Sequence, residues 1–312
     1  MRALRTALST ALLWGAPLLA RAADAAGGHG EAHAGLTPDA PRVFELGPFA
    51  ITNSMILTWV VAIVLIFFAQ YATRVVRAVP EGAQNFWEWL VESLHEFLEG
   101  IVGPDLVRRT FWFFATIFIF ILTCNWFGLI PGVGSIGWGH PEADGHLHHI
   151  AEPLFRGANA DLNMTLAMAM VFFACWTLWA LQVNGAKGFF LHIFGPKGDT
   201  TGLLKLLMIG VFALVGVLEV ISILFRPVSL SFRLYGNIFA GENMLETMST
   251  LNPYLGWLLA IPFYFLELLV GLVQALVFML LTSVFTLLIC QHDEEHGHSH
   301  GPAATAHGAA TH

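Results

Sequence analysis

Charge is what this 312-residue chain has least of. Its 14 Lys and Arg and 22 Asp and Glu make up 12% of the residues, against roughly a quarter in soluble domains. Such a chain cannot cover a soluble fold of this length with solvated groups, which leaves a bilayer as its solvent. Cysteine is also scarce. Cys124, Cys175 and Cys290 stand singly in apolar runs, so they form neither a disulfide framework nor a Cys-based metal frame and read as small hydrophobes. No G-x-x-x-x-G-K-[ST] run occurs, which excludes a Walker-type nucleotide site. The net charge of −8, carried mostly in tails and loops, excludes the basic footprint of a nucleic-acid binder.

Apolar residues fill the place of the missing charge: 56% of the chain, with 26 Phe and 10 Trp. Residues 1–22 pair Arg2 and Arg5 with the apolar run Ala7–Ala20 and the A-x-A pattern Ala20-Arg21-Ala22, which reads as a secretory signal peptide. Residues 23–44, rich in Ala, Gly and Pro, read as a flexible tail. The membrane domain is expected over 45–291, and 292–312 is a His-rich disordered tail.

Five apolar runs predict five crossings: Ser54–Ala72, Phe111–Ile130, Asp161 to about Leu181, 206–250, and Tyr254–Cys290. The last two are too long for perpendicular spans and predict tilted helices, joined as a hairpin around Asn252-Pro253. Residues 86–102 carry Glu88, Glu92, Glu96 and Glu99 among aromatic and aliphatic side chains. They predict an amphipathic helix lying in the interface. The fold class is therefore an all-α polytopic membrane protein. With the N-terminus outside, Arg74, Arg77, Arg108, Arg109, Lys187, Lys197 and Lys205 all fall inside, while only Arg42 and Arg156 face out. That is the positive-inside bias, with the C-terminus cytoplasmic.

Against this apolar background, residues 219–242, EVISILFRPVSLSFRLYGNIFAGE, hold two arginines and two glutamates. A guanidinium at the bilayer centre costs about 2.5–3.5 kcal/mol even on the lenient insertion scale, so it normally faces protein, water or a carboxylate. Glu219, Ser222, Arg226, Ser229, Arg233 and Asn237 follow at helical spacing and gather into one polar stripe. Its 18 steps span roughly 27 Å at ~1.5 Å each, close to the ~30 Å hydrocarbon thickness. Pro227 is expected to bend the helix and free a carbonyl. Nine residues beyond Arg233, Glu242 points to the other side of the helix. On the last span Glu267, Gly271, Gln274 and Phe278 share a face.

The run RPVSLSFRLYGNIFAGE resembles the signature of subunit a of the F-type ATP synthase of bacterial type, with Arg, Gly-Asn and Ala-Gly-Glu at that family's spacing. The resemblance covers roughly residues 45–292. It implies a non-catalytic stator subunit of a rotary synthase in the bacterial inner membrane, with five spans and no cofactor. The implied partners are the c-ring, the peripheral stalk subunit b and the lipid bilayer. In that family the arginine matching Arg233 faces the ring carboxylate. The positions matching Asn237, Glu242, Glu267 and Gln274 line the outer proton half-channel. An acidic residue at Asp161 lies near it, and Glu219 with Ser229 belongs to the inner exit path. Many relatives have histidine at one of the two acidic positions where this chain has Glu242 and Glu267. Two such carboxyls close together are expected to share a proton.

Each residue also has a plainer reading. Arg233 could pair with an internal glutamate, the two glutamates could be hydrogen-bonded within the bundle, and Asp161 with Asn163 could simply cap a helix. A self-contained ion or metal transporter is the rival class. Such a protein would show two similar halves with matching broken helices, whereas here the intramembrane charge is confined to the C-terminal third. Of 14 histidines, six lie after Cys290 and four at His140, His146, His148 and His149. Without a regular ligand frame they are read as incidental, and no metal site is assigned.

Overall fold

A computed structural model describes residues 40–46, 49–130, 133, 137–138, 152–194, 203–251 and 254–290. The chain divides into two compact units, Met1–Leu36 and Thr37–His312, and every described residue belongs to the second. The expected signal peptide, the His-rich tail and the Asn252-Pro253 turn lie outside the described residues.

Six α-helices make up the described unit: α1 (Asn53–Thr73), α2 (Ala83–Val102), α3 (Pro104–Gly128), α4 (Leu162–Phe194), α5 (Leu203–Thr250) and α6 (Gly256–Cys290). All but α2 are long and apolar enough to cross a membrane. α2 starts one turn earlier than expected. It buries Leu94, Leu98 and Val102 and leaves Phe86, Trp89 and Phe97 exposed. Gly103, at φ +82, ends it, and Pro104 opens α3 at once. Only glycine takes that backbone without strain, and proline suits a first helical position.

α4 runs past the expected Leu181, but Gly185 at φ +67 breaks its helical path, so the crossing portion ends at Val183. The 48 residues of α5 form one helix uninterrupted by Pro227. At ~1.5 Å per residue it is roughly 72 Å long, well over twice the ~30 Å thickness of a bilayer core. One departure from an all-helical reading precedes α1. Strands β1 (Arg42–Leu46) and β2 (Phe49–Thr52) pair antiparallel, with an irregularity between Arg42 and Phe44. A second, two-residue pairing joins β3 (Gly137–Trp138) to β4 (Glu152–Pro153).

Aromatic packing and interhelical hydrogen bonds hold the bundle. Phe113 meets Phe172 and Trp179, and Phe114 also meets Trp179, which seats α4 on α3. Trp176 Nε1 donates to the Phe285 carbonyl at 3.1 Å. At the other end Asn125, Trp126 and Tyr264 stitch α3 to α6 through bonds of 2.9, 3.2 and 2.8 Å. Such bonds average about 0.6 kcal/mol each within membranes, so they fix register more than they supply stability.

Candidate functional site

α5 carries two differently functionalised faces. Ile223, Leu230, Leu234 and Ile238 are buried, while Ser222, Ser229, Arg233 and Asn237 are exposed along the stripe expected from their spacing. Their exposed neighbours Leu224, Phe225, Val228 and Phe232 are of the kind that normally meets lipid. Among the described residues no acceptor lies within hydrogen-bonding distance of the Arg233 guanidinium, so no internal glutamate pairs with it. Arg226 is different. Its guanidinium lies over the Phe285 ring at 4.8 Å and Trp176 at 5.8 Å, and it bonds Glu219 at 3.2 Å. The Glu219 end of the stripe is thereby anchored at the junction of α4, α5 and α6.

The opposite side of α5 meets a carboxylate cluster. The Glu242 carboxylate lies directly against Gly157, and a Cβ there would collide with it. The Glu267 carboxylate from α6 lies likewise against Gly241. Glu267 is 3% exposed and its Oε1 has no hydrogen-bond partner among the described residues. Arg156 and Glu267 both act electrostatically on Glu242, so the two glutamates predicted to cooperate do share a site. Arg156 is buried over the Phe239 ring. Although it belongs to the loop before α4, it folds back into the protein, where it acts on the half-buried Glu242 carboxylate.

A polar track continues from this cluster. Asn159, in a 3-10 turn at Ala158–Ala160, donates to Asn125 Oδ1 at 2.6 Å, and Asn125 donates to the Gly271 carbonyl on α6. Asp161 is buried. Its Oδ2 accepts from Ser54 of α1 at 2.5 Å, and its Oδ1 accepts the Asn163 backbone N–H at 2.9 Å. It therefore caps α4, and it also ties α4 to α1. Thr165 Oγ1 and Ser231 Oγ, 3.1 Å apart, carry contact onward to α5. Gln274 is half-buried on the face of α6 that holds Glu267, Gly271 and Phe278. Asn237 stands with Arg233 on the exposed stripe rather than with Glu242.

Sequence reading missed Arg156, Asn125, Asn159 and Ser54. Asn125 had a usable signal as a lone amide in the apolar run Phe111–Ile130. Arg156 had none, because periodicity does not reach into a loop.

A family profile described as ATP synthase A chain matches residues 55–286. The chain belongs to that family. Among relatives named ATP synthase subunit a, that of Gloeobacter violaceus is 32% identical over 81% of this chain and 90% of its own length. That of Solidesulfovibrio magneticus is 32% identical over 75% and 83%, and that of Moorella thermoacetica 32% over 78% and 93%. Family membership and five helices long and apolar enough to span make this chain a multi-pass protein of the membrane sector of an ATP synthase. The match covers the stripe, the carboxylate cluster and all of the polar track but Ser54. It begins two residues beyond Asn53, so the β1–β2 hairpin falls outside it.

Proposed function

We propose that this chain is the stator half of a proton-driven rotary motor, with two half-channels that open on opposite sides of α5. The observation that carries this reading is the exposed Arg233 in a spanning helix, whose guanidinium has no partner among the described residues. A permanent charge on a lipid-type face is costly, and the cost is removed if a carboxylate of another chain occupies that face. A rotating c-ring supplies such a carboxylate.

In this scheme the N-terminus is outside and the membrane is the bacterial inner membrane. A proton enters past Asp161, Glu242, Glu267 and Gln274, and Asn237 adjoins its delivery to the ring carboxylate. Glu267 Oε1 and Asn159 Oδ1, which have no hydrogen-bond partner among the described residues, are acceptors for water or a passing proton donor. The neutralised ring site then travels through lipid, where an ionised one would be costly. On return it meets Arg233, which favours the carboxylate and so releases the proton toward Ser229, Ser222 and Glu219. Arg233 also repels any proton that would pass straight from one path to the other. Peripheral stalk subunit b keeps the chain static, and the chain itself catalyses no chemistry.

Cross-linking tests the facing surfaces. With Cys124, Cys175 and Cys290 replaced by serine, Asn237→Cys should form a disulfide with a cysteine placed next to the ring carboxylate. Leu234→Cys, on the buried face, should not. Equal yields from both positions would contradict the proposed contact.

A further inference from the structure

A cavity of about 810 Å³ opens at the other end of the bundle from the carboxylate cluster, where the start of α3 meets the ends of the α4 and α6 crossings. Its polar lining includes Arg108, Arg109, Asp105 and Gln182, with Trp179 beside them, and Leu106, Val183 and Leu287 form apolar wall. Both arginines are exposed, and among the described residues neither guanidinium has a hydrogen-bond or ion-pair partner. Asp105 offsets one of the two charges, which leaves a net positive cavity.

Its depth in the membrane is marked independently. Arg108 and Arg109 immediately precede the apolar run of α3. The exposed Trp112 donates its indole N–H to the Arg109 carbonyl at 3.1 Å, in the manner of aromatic residues at a membrane boundary. Leu178, Leu181 and Leu288, which adjoin the lining residues in sequence, are exposed. A basic recess at this level, with apolar surface beside it, matches a phosphate headgroup whose acyl chains stay in the bilayer. The volume lies within the range of small-molecule sites.

We propose that this cavity binds the headgroup of an anionic phospholipid, with Arg108 and Arg109 on the phosphate and the acyl chains along α4 and α6. The bound lipid fastens the start of α3 to the far ends of α4 and α6. The proposal does not depend on the proton-path reading.

The test uses the whole synthase carrying this chain, in phosphatidylcholine vesicles with phosphatidylglycerol bearing a photoreactive headgroup. Labelling should map to residues 105–110 and 179–183, and a photoreactive phosphatidylcholine should not label them. Each basic residue near a membrane surface is worth roughly fivefold in affinity for acidic lipid, so Arg108→Gln with Arg109→Gln should weaken labelling on the order of thirtyfold. Arg108→Lys with Arg109→Lys should keep most of it. Equal labelling by the two lipids, or labelling unchanged in the glutamine variant, would overturn the proposal. Abolition of labelling by inorganic phosphate would assign the cavity to a free anion and overturn the lipid assignment. If the double variant does not assemble, the comparison of the two lipids on the unaltered complex still decides.

Discussion

Gly157 and Gly241 sit where the carboxylates of Glu242 and Glu267 come to rest, and neither leaves room for a methyl group. Gly157→Ala and Gly241→Ala should each displace a carboxylate by about an ångström. Misplacement of that order costs up to roughly a hundredfold in rate, read as slowed ATP-driven proton uptake by inverted vesicles with assembly intact. Asp161 separates two roles that its position combines. Asparagine caps helices as well as aspartate does, whereas alanine costs about 1 kcal/mol. Asp161→Asn should therefore assemble like the parent and pump more slowly if the residue handles protons. Unimpaired pumping in Asp161→Asn would leave it a cap alone. At this scale the sequence was informative where spacing could be used: Arg233, Glu242 and Glu267 fall on the faces that helical arithmetic assigns. Arg156 and Asn159 were illegible because their positions depend on how a loop folds back, which no periodicity encodes.

Among the elements, α5 is decisive because its two faces have different environments. The polar stripe was legible from steps of three and four, and the structure adds how its Glu219 end is held. Arg226 is clamped by Phe285, Trp176 and Glu219. Arg226→Leu should release Glu219 and slow proton exit while leaving delivery on the other face intact. A matching loss should appear in Phe285→Ala, which removes the nearer ring. Trp176→Phe keeps an aromatic ring beside Arg226 while removing the indole bond to Phe285, worth about 0.6 kcal/mol, and should lose less pumping than Phe285→Ala. The β1–β2 hairpin was not foreseen, although Gly47-Pro48 between two apolar runs is a turn signal. A short strand pair next to a long apolar helix is easily absorbed into a tail reading.

For the whole molecule, the spans and their order were legible because bilayer thickness and apolar length leave little choice. What sequence could not give is the gathering of distant segments at two opposite ends. The carboxylate cluster and polar track draw on the end of α3, the residues before α4, the later part of α5 and the early part of α6. The basic cavity draws on the opposite ends of α3, α4 and α6. On the proposed orientation, with the N-terminus outside, the cavity lies in the cytoplasm-facing half. In a background lacking Cys124, Cys175 and Cys290, Glu81→Cys should then react with an impermeant thiol reagent in inverted vesicles and not in intact cells. The reverse pattern would invert the orientation.

The central claim is that Arg233 acts across the exposed stripe on a carboxylate of the ring. The most direct measurement is ATP-driven acidification of inverted vesicles containing this chain, beside vesicles carrying Arg233→Ala, with assembly of ring and stator verified in both. The account predicts acidification by the parent and none by the assembled variant. Equal acidification by both would make Arg233 a structural residue and contradict the proposed mechanism.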